Sequence, residues 1–321
     1  MNMRKNICML GCAMLGVLAA CSTESVSRPP DPALVAAADA SVVTKSEPMP
    51  ERLQRLFAGE LRILNENNMT RETIANEQGR LWYCQGVYNE DQPGKPAILV
   101  FLHGIGERGS ENLANIRLAV PEIVKQIKAS GQKVILLAPQ CPADQLWSTR
   151  HRGGAEAKLT EKPRPALGMV PILIQRKIKD FDADPDRVYI TGLSLGGYGS
   201  WDLMERYGTG LFAAGVTCSG GDPSQAKKMK DLPIWIFHGE ADQTLPVMLS
   251  RRMYAALKEA GSNVVFYREY PGVPHDCWTR TYQNPEVWKW LFSQKRGVKS
   301  DVRPAQDEVV NVTQEEFDAG W

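Results

Sequence analysis

The stretch Arg187-Val188-Tyr189-Ile190-Thr191-Gly192-Leu193-Ser194-Leu195-Gly196-Gly197 decides how this chain is read. It opens as an apolar, β-branched run and passes into a segment compatible with helix, so Ser194 sits where a strand turns sharply into a helix. Gly192 and Gly196 flank the serine as Gly-x-Ser-x-Gly. In that context the glycines let the backbone fold tightly enough to leave the hydroxyl exposed above the sheet edge. With three fixed positions the pattern is weak alone, and its weight depends on what surrounds it.

Two later segments supply the partners a serine needs to become a nucleophile. "IWIFHGEADQTLP" (234–246) places Asp242 a short loop beyond an apolar strand, and "YPGVPHDCW" (270–278) places His275 in the loop after the last strand. The order Ser, Asp, His is the one used by α/β-hydrolases. In that reading Ser194 attacks, His275 takes its proton, and Asp242 holds the imidazole in one tautomer and stabilises its charged form. Glu240, two positions before Asp242, is the second choice for the acid, and Asp276 is too close to His275 to face its ring. The negative charge of a tetrahedral intermediate needs amide donors. One is the N–H of Leu195, directly after the serine. The other falls in His103-Gly104-Ile105-Gly106, where a His-Gly-x loop of this kind donates from the third residue, here Ile105. His103 and His238 each end an apolar strand and precede glycine; both read as structural groups that pack or hydrogen-bond near the site. His151 lies in a long polar loop.

Around these motifs the pattern alternates. Strands are expected over 81–88, 97–102, 133–138, 187–191, 212–217, 233–237 and 263–269, with "AILVFL" (97–102) continuously apolar, as a strand covered on both faces should be. Helical spacing appears over 51–66, 112–130 (interrupted by Pro121), 166–181, 195–207, 247–260 and 285–294. Such alternation implies an α/β fold: a mostly parallel sheet with helices on both faces. One catalytic domain is expected over 51–297, followed by a polar, acidic tail over 298–321.

The N-terminus reads separately. Arg4 and Lys5 precede an apolar run from Ile7 to Leu18, too short to span a bilayer and suited to a secretory signal over 1–20. Leu18-Ala19-Ala20-Cys21 resembles the lipobox of bacterial lipoproteins, in which the cysteine is lipidated. Residues 22–50, rich in Ser, Thr, Pro and Ala, then read as a flexible tether. The expected location is exported, anchored to a bacterial membrane through lipid on Cys21, in the periplasm or on the cell surface. Composition is that of an ordinary globular protein, 43% hydrophobic and 23% charged, and a net charge of +1 without a basic block gives no reason to expect a nucleic-acid partner. Cys84, Cys141, Cys218 and Cys277 allow three disulfide connectivities, and their spacing with His matches no zinc site, so no metal is expected.

Taken together, "FLHGIGERGSEN" (101–112), "LLAPQCP…LW" (136–147), "DPDRVYITGLSLGGYGSW" (184–201) and the two segments after them resemble the secreted α/β-hydrolases often labelled "predicted peptidase" or phospholipase/carboxylesterase-like. These are similar to dienelactone hydrolases, polyhydroxybutyrate depolymerases and feruloyl esterases. The resemblance implies Ser194, Asp242 and His275 as the triad, an ester as substrate and no cofactor. It also matches Trp147 to a tryptophan near the cleft, as a substrate contact or a packing residue. Leu195 departs from the family's common methionine, and serine replaces the cysteine nucleophile of dienelactone hydrolases proper. The charged stretch 148–165 differs as well, and loops over the strand ends set specificity. The reaction class implied is carboxylic ester hydrolysis through an acyl-enzyme, on acyl or feruloyl esters of polysaccharides or on simple esters. The alternatives are a serine peptidase of the prolyl-oligopeptidase type, without that group's propeller, and a non-catalytic binding lipoprotein on a hydrolase scaffold. Oligomeric state is not readable.

Overall fold

The computed structural model describes residues 29, 31–149, 159–221 and 223–304. The proposed signal, Cys21, His151 and the chain beyond 304 lie outside the described residues. Nine strands form one sheet: β1 (Val42–Lys45), β2 (Thr70–Asn76), β3 (Gly79–Tyr88), β4 (Ala97–Leu102), β5 (Val134–Gln140), β6 (Val188–Leu193), β7 (Ala214–Cys218), β8 (Ile234–Gly239) and β9 (Val265–Tyr270). Their order is β1-β2-β3-β5-β4-β6-β7-β8-β9. From β4 onward neighbours pair in parallel, while β1, β2 and β3 add antiparallel strands at one edge. The helices are α1 (Pro32–Asp39), α2 (Glu51–Leu56), α3 (Ala58–Glu66), α4 (Val120–Ser130), α5 (Pro165–Phe181), α6 (Leu195–Tyr207), α7 (Ala226–Met229), α8 (Met248–Glu259), α9 (Trp278–Gln283) and α10 (Pro285–Phe292).

Strand β4 shows why its sequence is unbroken Ala-Ile-Leu-Val-Phe-Leu. Successive side chains leave a strand on opposite faces. Ile98, Val100 and Leu102 enter a core with Leu173 of α5, Trp201 of α6 and Met253 of α8. Leu99 and Phe101 enter the other, with Ile123 of α4 and Trp288 and Trp290 of α10. Each such side chain, fully buried, stabilises the fold by roughly 1.5–3 kcal/mol, which both layers of helices are needed to realise.

Four expectations change. The tether over 22–50 is built into the domain from residue 31 onward. Asp31 caps α1 by accepting the Ala33 amide at 2.9 Å, Pro32 opens the helix, and Ala38 is buried in the core beside α5. β1 then pairs with β2 from Val42↔Ala75 to Lys45↔Glu72. Small side chains and backbone hydrogen bonds do this work, so a reading that looks for large apolar groups misses it. At the other end, Val302 packs on the core and the Arg303 guanidinium donates to the Asn263 carbonyl at 3.1 Å, so the tail begins later than 298. The helix expected over 112–130 starts only at Val120, which puts Pro121 in its first turn, where the missing N–H costs no helical hydrogen bond. The helix expected over 51–66 is two helices meeting at Phe57. Among the described residues, Cys84, Cys141, Cys218 and Cys277 are all buried free thiols, and no helix is long and apolar enough to cross a membrane.

If the N-terminal segment is part of the fold, removing residues 1–30 should leave the melting temperature unchanged. Removing residues 1–46 should lower it by ~5 °C or more and expose the edge of β2 to aggregation, as read by thermal melts followed by circular dichroism.

Candidate active site

Between the end of β6 and the start of α6, Ser194 takes φ 53° and ψ −117°. An L-residue held there costs on the order of 1–3 kcal/mol unless its surroundings dictate it. Here they do. The Ser194 amide donates to the Cys218 carbonyl at 2.9 Å, and its carbonyl accepts the Tyr198 amide at 3.2 Å. The glycines are required by close approach. A Cβ on Gly192 would lie 2.3 Å from the Gly196 carbonyl oxygen, and one on Gly196 would lie 1.9 Å from the Leu102 carbonyl oxygen. The turn is thus pressed against the end of β4, with the hydroxyl on the open side.

The loops after β8 and β9 are tied to each other. The Glu240 amide donates to the Tyr270 carbonyl at 3.1 Å and the Ala241 amide to Val273 at 3.0 Å. This brings together three side chains that are distant in sequence. His275 Nε2 stands 2.9 Å from Ser194 Oγ, and His275 Nδ1 stands 2.7 Å from Asp242 Oδ2. An ionised carboxylate only accepts, so we assign the proton of neutral His275 to Nδ1, leaving Nε2 to accept from the serine hydroxyl. Trp278 sets the ring's edge, meeting it at 90° and 5.1 Å.

Asp242 is enclosed by donors. Its Oδ1 accepts the amides of Thr244 at 2.8 Å and Leu245 at 2.9 Å, and its Oδ2 also faces Ser219 Oγ at 3.4 Å and His238 Nε2 at 3.2 Å. Burial by itself raises its pKa. The hydrogen bonds from His238, His275 and the Leu245 amide outweigh burial and hold the carboxyl well below the usual carboxylate range, and a protonated His275 would add its charge to them. His238 Nε2 faces only acceptors, Asp242 Oδ2 and the Leu245 carbonyl at 3.0 Å, so it carries a proton; its Nδ1 lies 2.7 Å from Ser250 Oγ.

On the other side of Ser194, Leu195 is the first residue of α6, where a backbone N–H has no partner within the helix and the helix dipole is positive. Ile105 opens a single 3₁₀ turn, Ile105–Glu107, and is 45% exposed, facing a cavity of about 430 Å³ that Ser194, Leu195, Thr244, Leu245, Pro246 and Leu249 also line. The residue before it is fixed by His103. This histidine is fully buried, and burial pushes its pKa down to about 4, so it is neutral at physiological pH. Its Nε2 accepts the Cys141 amide at 2.9 Å, which puts the proton on Nδ1 to donate to the Gly104 carbonyl at 2.6 Å. In a trans peptide C=O and N–H point in opposite directions, so the Ile105 N–H is aimed away from the buried His103 ring.

Trp147 needs correction as a substrate contact. It is fully buried, its Nε1 donates to the His103 carbonyl at 3.1 Å, and its Cβ would lie 2.7 Å from a Cβ on Gly199. It packs under the His103 loop and is out of reach of a ligand. Glu240 accepts the Gly272 amide at 2.8 Å and Asp276 caps α9 through Thr279; neither touches His275. Sequence reading missed Ser219, Ser250 and Glu107 as neighbours of the site, because single polar residues carry no periodic signal. Only the Glu in "HGIGERG" stood beside a quoted motif. Among the described residues no group of three or more His, Cys, Asp or Glu side chains is arranged to hold a metal ion.

The enclosure of Asp242 makes a stability prediction. A carboxyl held below its ordinary pKa stabilises the fold above that ordinary value, and the contribution fades as the pH falls from it toward the lower folded value. Asp242→Asn should therefore be less stable than the parent at pH 7, by ~1–3 kcal/mol for lost charge-assisted hydrogen bonds, and the gap should narrow in strong acid. Denaturant melts at pH 7 and pH 3 test this; an unchanged gap at both would refute it.

Comparison with known proteins points the same way as the geometry. The phospholipase/carboxylesterase family profile matches residues 84–286, from β3 past His275 into the first turn of α10. A 205-residue stretch is 26% identical to acyl-protein thioesterase 1 of Neurospora crassa, covering 56% of this chain and 80% of that one. Among solved structures, a thermostable esterase superposes with a TM-score of 0.65 at 35% identity over 72% of this chain and 64% of that one. The chain thus spans less than two thirds of that esterase's length. A poly(3-hydroxybutyrate) depolymerase from Bordetella parapertussis aligns at 17% identity and a TM-score of 0.49, over 65% of this chain and 85% of that one. The chain belongs to the phospholipase/carboxylesterase family and is a serine hydrolase of the carboxylesterase type.

Proposed function

We propose that this protein hydrolyses carboxylic esters through an acyl-enzyme formed on Ser194, with His275 as base and acid and Asp242 as its orienting carboxylate. The observation that carries the reading is the continuous hydrogen-bonded relay from Ser194 Oγ through the two nitrogens of His275 to Asp242 Oδ2, at 2.9 and 2.7 Å. Ser194 Oγ adds to the ester carbonyl carbon while His275 Nε2 takes its proton. The carbonyl electrons move to an oxyanion that receives the Leu195 and Ile105 N–H groups, each such donor contributing on the order of 3–4 kcal/mol. The oxyanion collapses, the C–O bond to the alcohol breaks, and His275 returns the proton to the departing alkoxide. Water, deprotonated by the same nitrogen, then releases the acid and restores Ser194.

Leu195, Leu245, Pro246 and Leu249 favour an apolar acyl group in the cavity. A thioester, the class named for the Neurospora relative, would meet the same groups at the carbonyl. The resemblance to feruloyl esterases and polyhydroxybutyrate depolymerases extends the candidates to acyl or feruloyl esters carried on a polymer. Export and anchoring through a lipid on Cys21 belong to the same proposal and are supported by the N-terminal sequence.

The wild type should turn over p-nitrophenyl acetate, and Ser194→Ala should lower kcat by at least about a thousandfold. Equal rates for both would favour a binding protein, and turnover of peptide amides in preference to esters would favour a peptidase. Because the hydrogen bonds around it hold the Asp242 carboxyl well below the usual carboxylate range, it should remain anionic through weakly acidic and neutral pH, and a kcat/KM profile showing protonation of a carboxylate in that range would count against Asp242 as the orienting group.

A further inference from the structure

Glu107 ends the short turn that begins at Ile105, and its side chain has no part in the relay. It is 1% exposed. One oxygen, Oε2, accepts the Gly104 amide at 2.9 Å, while the other, Oε1, is buried without a hydrogen-bond partner. The Gly104 hydrogen bond and the charge of Arg117 offset its burial only in part, so the carboxyl is pushed up to about 7. A buried carboxylate with an idle oxygen is an unfavourable way to close one turn. Its location supplies a reason. A Cβ placed on Gly104 would lie 3.4 Å from Glu107 Oε2 and 3.8 Å from the Ser194 Cβ, so the carboxyl and the serine both border the same point beside Gly104.

Two peptide planes meet at Gly104. The first, His103–Gly104, carries the Gly104 N–H, and Glu107 holds it. The second, Gly104–Ile105, carries the Gly104 carbonyl, and His103 Nδ1–H holds it at 2.6 Å. The residue joining them has no side chain to limit its φ and ψ. With each plane clamped by one buried side chain, both soft dihedrals are set, and with them the direction of the Ile105 N–H.

We propose that Glu107 is a positioning residue for the oxyanion-binding amide of Ile105, acting by holding the Gly104 N–H. This rests on the ester-hydrolase reading of the site. What the loop requires is an acceptor at that distance from the backbone, so glutamine can replace glutamate and the shorter aspartate cannot.

The test compares Glu107→Gln and Glu107→Asp with wild type for p-nitrophenyl acetate kinetics and for inhibition by a trifluoromethyl ketone, which forms a tetrahedral oxyanion on the serine. Glu107→Gln should keep kcat within about threefold. Glu107→Asp, with a cooperative melt showing that it folds, should lose kcat ten- to a hundredfold, approaching the ~10²–10³ of a deleted donor. Its KM should stay nearly constant and the inhibitor should weaken by the same factor as kcat. A Glu107→Asp variant as active as wild type, a Glu107→Gln variant as impaired as Glu107→Asp, or a kcat loss without weaker ketone binding would each overturn the proposal and leave the hydrolase reading standing. A wild type that does not hydrolyse the ester would overturn both.

Discussion

The strained turn at Ser194 is the constraint on which the remainder of the site depends. A serine at φ 53° is tolerable only because β4, β6 and α6 approach each other more closely than any side chain on Gly192 or Gly196 would permit. That approach places the hydroxyl above the sheet edge and leaves the first amide of α6 free of helical partners. It also brings the Gly104 loop, at the end of β4, to the same point. The proposed nucleophile and the amides proposed to bind the oxyanion are therefore brought together by one packing contact between neighbouring parallel strands.

Two buried histidines support opposite ends of the relay. His103, after β4, orients the peptide that precedes Ile105. His238, in β8, hydrogen-bonds the Asp242 carboxylate and the Leu245 carbonyl that borders the cavity. Each is held by a second hydrogen bond at its other nitrogen, from the Cys141 amide in one case and with Ser250 in the other. A fixed tautomer makes an imidazole ring a rigid spacer between backbone and site. That explains why, among the described histidines, His275, 24% exposed at its side chain and turned to Ser194, is the one placed to exchange a proton with a ligand.

The parallel half of the molecule was legible because its strands are short, mostly apolar runs separated by helices with one apolar face. α6 begins and ends within a residue of the expected span. Of the antiparallel edge only β3 was legible, as the strand expected over 81–88. β2 has only two buried side chains, Glu72 and Ile74, among partly buried neighbours, β1 is four residues of which three are exposed, and α1 is half alanine. Elements held by backbone pairing and by small contacts at an edge leave little trace in hydropathy. Trp147 shows a different limit: its residue type suited either a cleft wall or a core, and only the position of Gly199 and His103 beneath it settles on the core.

From the amino-acid order alone came the turn chemistry of Gly192-Leu193-Ser194-Leu195-Gly196, the alternation of strand and helix, and the order of serine, aspartate and histidine. These are local or one-dimensional properties, set by backbone sterics and side-chain type. The hydrogen-bond partners of Asp242, the tautomer of His103, the burial of Glu107 and the joining of residues 31–45 to the sheet were decided by tertiary structure. Each depends on which groups are brought within hydrogen-bonding distance from elsewhere in the chain, and no local pattern encodes that distance.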